Sequence, residues 1–346
     1  MMKHIYVAFF SFLLLSCGST KVDQSTVLNP TNPKGVKGSV LPASKDAQLE
    51  SVKSNVSVKA LSVDIEAIMT FLTSDELQGR DTGSEGIEKA ADFIQNVFKN
   101  NNVLPYFATY RDTLENYSDG VAYNVVGFLP GTDSKLKNEF VVIGAHYDHI
   151  GLISGDGDDT IANGANDNAS GTTAVLEFAK YFGEHKNNKR SVIFALFTAE
   201  EKGLVGSKHL AKKLKEQSIS LYTMLNFEMV GVPMVEKDHS LYLTGYELSN
   251  LAEISNGYAN KNLVGFLPKA KEFNLFRRSD NAPFHDEFNV PSQTYSSFDF
   301  TNFGEYHKVG DEASLIDYGF MAKIVSESVP MLEGIINAPI KEVKYN

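Results

Sequence analysis

Three stretches in the middle of the chain constrain its fold: FVVIGAH (140–146), SVIFALF (191–197) and LYTMLNF (221–227). Each is a nearly unbroken apolar run without the polar alternation of a half-exposed strand. Short runs of this kind read as strands covered on both faces, as in a parallel sheet between layers of helix. The segments between them are helical in pattern. ASGTTAVLEFAKYFGEH follows the first run and GSKHLAKKLKEQ the second. Upstream, SVDIEAIMTFLTSDELQG puts Ile65, Ile68, Met69 and Leu72 at helical spacing, and GSEGIEKAADFIQNVFKNNN does the same with Ile87, Ala91, Ile94 and Phe98. The tail predicts a helix over about 247–259, a strand in VPSQTYSS and a long closing helix in LIDYGFMAKIVSESVPMLEGII. Strands alternating with helices predict a three-layer α/β/α domain with a mostly parallel central sheet.

The strand ends carry the chemistry. The first run ends in His146, Asp148 and His149, the second leads into Glu200 and Glu201, and the third into Glu228. In open α/β sheets the ligand site lies beyond the carboxyl ends of the strands. The loop SGDGDDTIANGANDNASG brings Asp167 to the start of the following helix, and GEYHKVGDE offers His307 and Asp311 far downstream. Imidazole and carboxylate donors without sulfur suit zinc, with manganese and cobalt as alternatives. Calcium would call for more oxygen ligands and no histidine. Four carboxylates in one pocket repel one another unless cations neutralise them, which favours two ions over one. SGDGDD (154–159) lacks the rest of a calcium-loop pattern and reads as a loop near the mouth of the site.

The rest of the 346-residue chain sets limits on partners and location. A formal net charge of -11 argues against nucleic acid, which needs a basic face. The only cysteine is Cys17, so no internal disulfide can form. It closes a short apolar run, Ile5 to Leu15, that is too short to span a membrane and fits a secretory signal. Leu14, Leu15, Ser16 and Cys17 resemble a bacterial lipoprotein cleavage box. That likeness implies a signal peptide over 1–16, an acylated Cys17 holding the chain on a lipid bilayer, and a place in the cell envelope, on its periplasmic or surface face. Residues 17–59 are poor in aromatics and rich in Ser, Lys, Val, Asn and Pro, and read as a tether. The catalytic domain is expected over 60–340.

GAHYDHIG, GANDNASGTTAVLEFA, FTAEEKGLVGS, LNFEMVG, RRSDNAPF and YHKVGDE occur in an order that resembles metallopeptidase family 28, and FLTSDELQGRDTGSEGIEKAADFI resembles its leading segment. This is a family of co-catalytic di-zinc aminopeptidases and glutamate carboxypeptidase-like enzymes with a phosphorylase/hydrolase-like fold. The resemblance implies a zinc exopeptidase acting on peptides, with an aminopeptidase favoured. His146 and Glu228 would hold one zinc ion, Glu201 and His307 the other, and Asp167 would bridge them. Asp148 would accept a hydrogen bond from the far nitrogen of His146 and fix its tautomer. Glu200 would be the general base, and Tyr306 would assist the oxyanion. His149 would be a structural, hydrogen-bonding histidine, and the Asp167–Asn168 bond would be cis. One departure is Glu228, where most relatives have Asp; it offers the same oxygens on a longer stem.

Two other activities share this scaffold. A carboxypeptidase needs cations for the substrate carboxylate, and Arg277 and Arg278 are candidates. A glutaminyl cyclase uses one zinc and tryptophans around its substrate, and this chain has no tryptophan. A non-catalytic module would be expected to have lost ligands, whereas every ligand position here holds a competent group. Nothing in the sequence assigns an oligomeric state.

Overall fold

The computed structural model describes residues 58–115, 117–154 and 158–346. The expected signal peptide, Cys17, nearly all of the tether and the middle of SGDGDD lie outside the described residues. The strands are β1 (Leu104–Pro105), β2 (Arg111–Thr113), β3 (Tyr123–Leu129), β4 (Glu139–His146), β5 (Gly151–Leu152), β6 (Ile161–Ala162), β7 (Ser191–Phe197), β8 (Ser220–Phe227), β9 (Leu241–Leu243), β10 (Val264–Gly265) and β11 (Ser292–Ser296). The helices are α1 (Val58–Leu72), α2 (Glu85–Asn100), α3 (Gly171–His185), α4 (Val205–Glu216), α5 (Leu251–Ala259), α6 (Pro268–Glu272), α7 (Asn281–Phe288) and α8 (Tyr318–Asn337).

All strands except the small β5–β6 hairpin join one sheet in the order β1–β3–β7–β4–β8–β11–β9–β10, with β2 also on β3. Its centre, β7–β4–β8–β11, is parallel. The flanks are not: β3 runs antiparallel to β7, and β9 antiparallel to β11. The mostly parallel sheet expected from the apolar runs is thus the middle of a mixed sheet. β3, YNVVGFL, escapes the sequence reading because Asn124 and Gly127 break its apolar run; in the fold Asn124 is used, donating to the Asp112 carboxylate and the Gly206 carbonyl.

Alternation across each strand divides the core. Val141, Ile143 and Ala145 of β4 face a layer built from α1, α2, α3, α5 and α8, while Val142 faces α4 and α7. Burying a large aliphatic or aromatic side chain stabilises by about 1.5–3 kcal/mol, so this double-sided packing fixes the strand ends firmly. α2 starts where the Ser84 hydroxyl accepts the Ile87 N–H, and α8 where the Asp317 carboxylate accepts the Phe320 N–H. The first helix stops earlier than its pattern suggests. Thr73 and Ser74 turn their hydroxyls back onto the carbonyls of Met69 and Phe71, and the chain passes into a short 3₁₀ segment (Asp75–Arg80). At the other end, Val343 is buried and Tyr345 pairs with Ser249, so the folded chain continues past residue 340.

Candidate metal centre

Because β4, β7 and β8 are parallel neighbours, their carboxyl ends open on one edge. His146 is the last residue of β4 and is buried, its carbonyl held by the Thr172 hydroxyl at 2.8 Å. Its Nε2 lies 3.3 Å from the Asp167 carboxylate. Asp167 sits in the turn before α3, and its bond to Asn168 is cis. Two features lock that turn. The Asp311 carboxylate accepts the N–H groups of Asn166 and Asp167 at 2.7 and 3.0 Å. Asn168 accepts from Gly171 and Met229 and donates to the Phe227 carbonyl, tying the start of α3 to the end of β8. Gly171 must be glycine, because a Cβ there would sit 2.3 Å from the Phe227 carbonyl oxygen.

Glu201, past the end of β7, lies 3.1 Å from the Nε2 of His307, which is also 3.2 Å from Asp167. His146, Asp167 and Glu201 place one ligand atom each within 4.8 Å of one another. Glu228 follows β8, with its N–H on the Tyr295 carbonyl and its carboxylate accepting from the Ser279 hydroxyl. The Tyr306 ring stacks on His307 at a centroid distance of 3.9 Å. His149 is fully buried and contacts Glu201 through Nδ1 at 3.1 Å.

Asp148 differs in detail from expectation. Its carboxylate stands 3.7 Å from the His146 Nδ1, which instead lies 3.1 Å from the Asp148 carbonyl. The carboxylate is occupied elsewhere. It accepts the Thr82 hydroxyl at 3.2 Å and the N–H groups of Glu200 and Glu201 at 3.2 and 3.3 Å. Asp148 therefore holds the two glutamates in place, while its carbonyl orients the histidine.

The electrostatics are those of a site built for cations. Burial, then the carboxylates of Glu228, Asp280 and Glu201, push Glu200 well above the ordinary carboxylate range against the pull of His146. Glu228 is raised to about 7, chiefly by burial, with the Asp167 charge adding to it. Burial disfavours the charged form of His307, but its bonds to Asp167 and Glu201 outweigh that and raise it to about 10. At Asp167 burial pushes the other way, but the contacts with His146 and then His307 overcome it and hold the carboxyl well below the usual range. The His146 Nε2 is buried and, although 3.3 Å from the Asp167 carboxylate, makes no aligned hydrogen bond among the described residues. A lone pair in that position, aimed at a carboxylate cluster, fits a metal ion.

Two supporting residues have no role in the sequence reading. Arg80 is 1% exposed and donates to four carbonyls: Leu72 at 2.5 Å, Tyr147 at 2.9 Å, Asn163 at 2.6 Å and Gly164 at 2.9 Å. Burial lowers its pKa to about 10, so it stays charged at neutral pH and clamps the site loop to the end of β4. Asp280, just before α7, is fully buried, and neither of its carboxylate oxygens has a hydrogen-bond partner among the described residues. Burial, above all, raises it to about 7. A buried Arg or Asp in a loop leaves no periodic trace; only the Arg-Asp and Ser-Asp pairs inside the motifs could have drawn attention to them.

Residues 124–329 match the sequence profile of peptidase family M28. The chain belongs to this family. A relative named as a probable zinc metalloprotease of Pyrenophora teres f. teres is 28% identical over 212 residues, covering 58% of this chain and 42% of that one. Aminopeptidase YwaD of Bacillus subtilis is 31% identical over 176 residues, covering 50% and 35%. The chain thus spans under half the length of these curated relatives. Among solved structures, the Legionella pneumophila LapA aminopeptidase has a TM-score of 0.62 at 22% identity, over 82% of this chain and 74% of that one. Porphyromonas gingivalis glutaminyl cyclase has a TM-score of 0.58 at 17% identity, over 79% and 96%. These likenesses establish the M28 fold.

Proposed function

We propose that this M28 protein is a zinc aminopeptidase that holds two ions. The observation that carries the reading is the cluster of His146, Asp167 and Glu201 with an orphaned imidazole nitrogen, and Glu200 adjoining it. His146 and Glu228 would hold one ion, Glu201 and His307 the other, with Asp167 between them. Zinc bound there supplies Lewis acidity, lowering the pKa of water and polarising the scissile carbonyl. Glu200 takes the proton of the attacking water and passes it to the leaving amine. The Tyr306 hydroxyl donates to the developing oxyanion, and Asp148 keeps both glutamates aimed. Amino-acid arylamides with a free amino group should be cleaved at least about tenfold faster than their N-acetylated forms, the value of one charged hydrogen bond. Equal cleavage of both forms would mean an endopeptidase. Release of pyroglutamyl products from N-terminal glutamine would point to the cyclase, a reading favoured only by the Porphyromonas likeness.

The protein is also proposed to be anchored through an acylated Cys17 in the cell envelope, supported by the Leu14–Cys17 box. Cys17→Ser should move it from the membrane pellet to the soluble fraction after a salt wash. Persistence in the pellet would refute the anchor.

A further inference from the structure

A cavity of about 180 Å³ opens beside Glu228. One wall is a row of aromatic rings: Phe300 lies 4.6 Å from Phe298, and Phe298 lies 5.6 Å from Tyr306, which stacks on His307. The cavity is therefore continuous with the metal-ligand cluster. Thr244 and Ser296 also line it, and both are buried. Their oxygens accept the N–H groups of Thr294 and Phe298, each at 3.2 Å; that leaves the Thr244 hydroxyl hydrogen to donate among the described residues, whereas the Ser296 hydroxyl lies against the Tyr242 phenol. Arg278 lines the same cavity and is exposed. Among the described residues its guanidinium makes no ion pair and no hydrogen bond, whereas its neighbour Arg277 is paired with Asp286 at 2.5 Å.

Neither nearby carboxylate is paired with Arg278. Glu228 accepts from Ser279, and Asp280 is sealed in the core. A guanidinium left without a carboxylate, in one cavity with the Thr244 hydroxyl and an aromatic wall, matches a carboxylate on a short carbon stem. We propose that this cavity selects a substrate carboxylate, with Arg278 as its anchor and Thr244 as a supporting donor. The proposal rests on the peptidase reading and narrows its substrate class. The carboxylate could belong to an acidic first residue or to the free C-terminus of a very short peptide.

The full chain, metal-loaded, separates these sources. It is assayed with α-glutamyl, leucyl and lysyl arylamides, and with Ala-Ala carrying a free or an amidated C-terminus. An acidic side chain as ligand predicts that Arg278→Ala lowers the glutamyl-to-leucyl ratio of kcat/KM about 10- to 100-fold, mainly through KM. Arg278→Lys should recover part of the ratio, and Arg278→Glu should raise the lysyl-to-leucyl ratio. A C-terminal carboxylate as ligand predicts that the loss appears with free Ala-Ala, not with its amide or the arylamides. Arg277→Ala, whose partner is Asp286, should keep the parent ratios. Arg278→Ala with all ratios unchanged overturns the proposal and leaves the peptidase reading standing. If no substrate is cleaved, the peptidase reading falls instead, and calorimetry with free glutamate and leucine decides the pocket. Glutamate binding that is lost in Arg278→Ala supports it; equal binding by parent and variant rejects it.

Discussion

Replacing Glu200 with alanine is expected to lower kcat about 100- to 10,000-fold, the usual contribution of a general base, while bound metal stays at the parent level. Among the described residues Glu200 makes none of the close carboxylate–imidazole contacts that bind the cluster together; Glu201 makes two, with His149 and His307. Glu201→Ala should therefore lose metal along with turnover, because one ion would lack a carboxylate and His307 would lose a partner. The Asp148 carboxylate holds the backbone N–H groups of both glutamates, so either truncation leaves the turn itself in place. Metal analysis and steady-state kinetics on the two variants separate the roles. The assignment fails if Glu200→Ala strips the metal while Glu201→Ala keeps both ions and most of its rate.

Loading the metal-free protein with zinc should raise its melting temperature by about 5 °C or more. Asp167, Glu201, Glu228, Glu200 and Asp280 share one small region, and burial together with mutual repulsion already pushes three of them up. Without cations the folded state must carry that repulsion or bind protons to relieve it. A ligand held only by the folded state stabilises it by roughly 2.7 kcal/mol at 100 times its dissociation constant. For a domain of this size each kcal/mol is worth roughly 2–4 °C. Differential scanning calorimetry with and without zinc reads this directly. A melting temperature indifferent to metal would mean that the cluster is not a metal site. Glu228→Ala should reduce the shift, and Glu228→Asp, which keeps the donor oxygens, should retain more of it.

What the sequence revealed, and what it hid, follows from the reach of each interaction. β4, β7 and β8 were visible because strands buried on both faces must be apolar throughout, and their ends stood out because histidine and carboxylate have no place in such runs. β3 was hidden because it uses Asn124 as a hydrogen-bonding core residue. The end of α1 was hidden because hydroxyl back-bonds from Thr73 and Ser74 compete with a pattern that continues on paper. In the site, the residues at strand ends were identifiable, and His307 stood out in GEYHKVGDE as a candidate donor, but its pairing with Glu201 came only from the family likeness, since no local pattern links it to β7 across some hundred residues. The use of the Asp148 carboxylate, the Arg80 clamp and the buried Asp280 depend on contacts between distant loops, which a linear reading cannot pair. Arg278 was named with Arg277 as a candidate for a substrate carboxylate, but that it shares a cavity with Thr244 and Ser296 emerges only once β9, β11 and the turn before α7 are assembled.

The most direct test of the metal centre is to count zinc in the purified chain and follow hydrolysis of an arylamide as a chelator removes it. Two ions per chain are expected, with activity abolished on their removal and restored by zinc, cobalt or manganese. Full activity in a preparation shown to contain no metal would contradict the assignment of His146, Asp167, Glu201, Glu228 and His307 as a catalytic metal site.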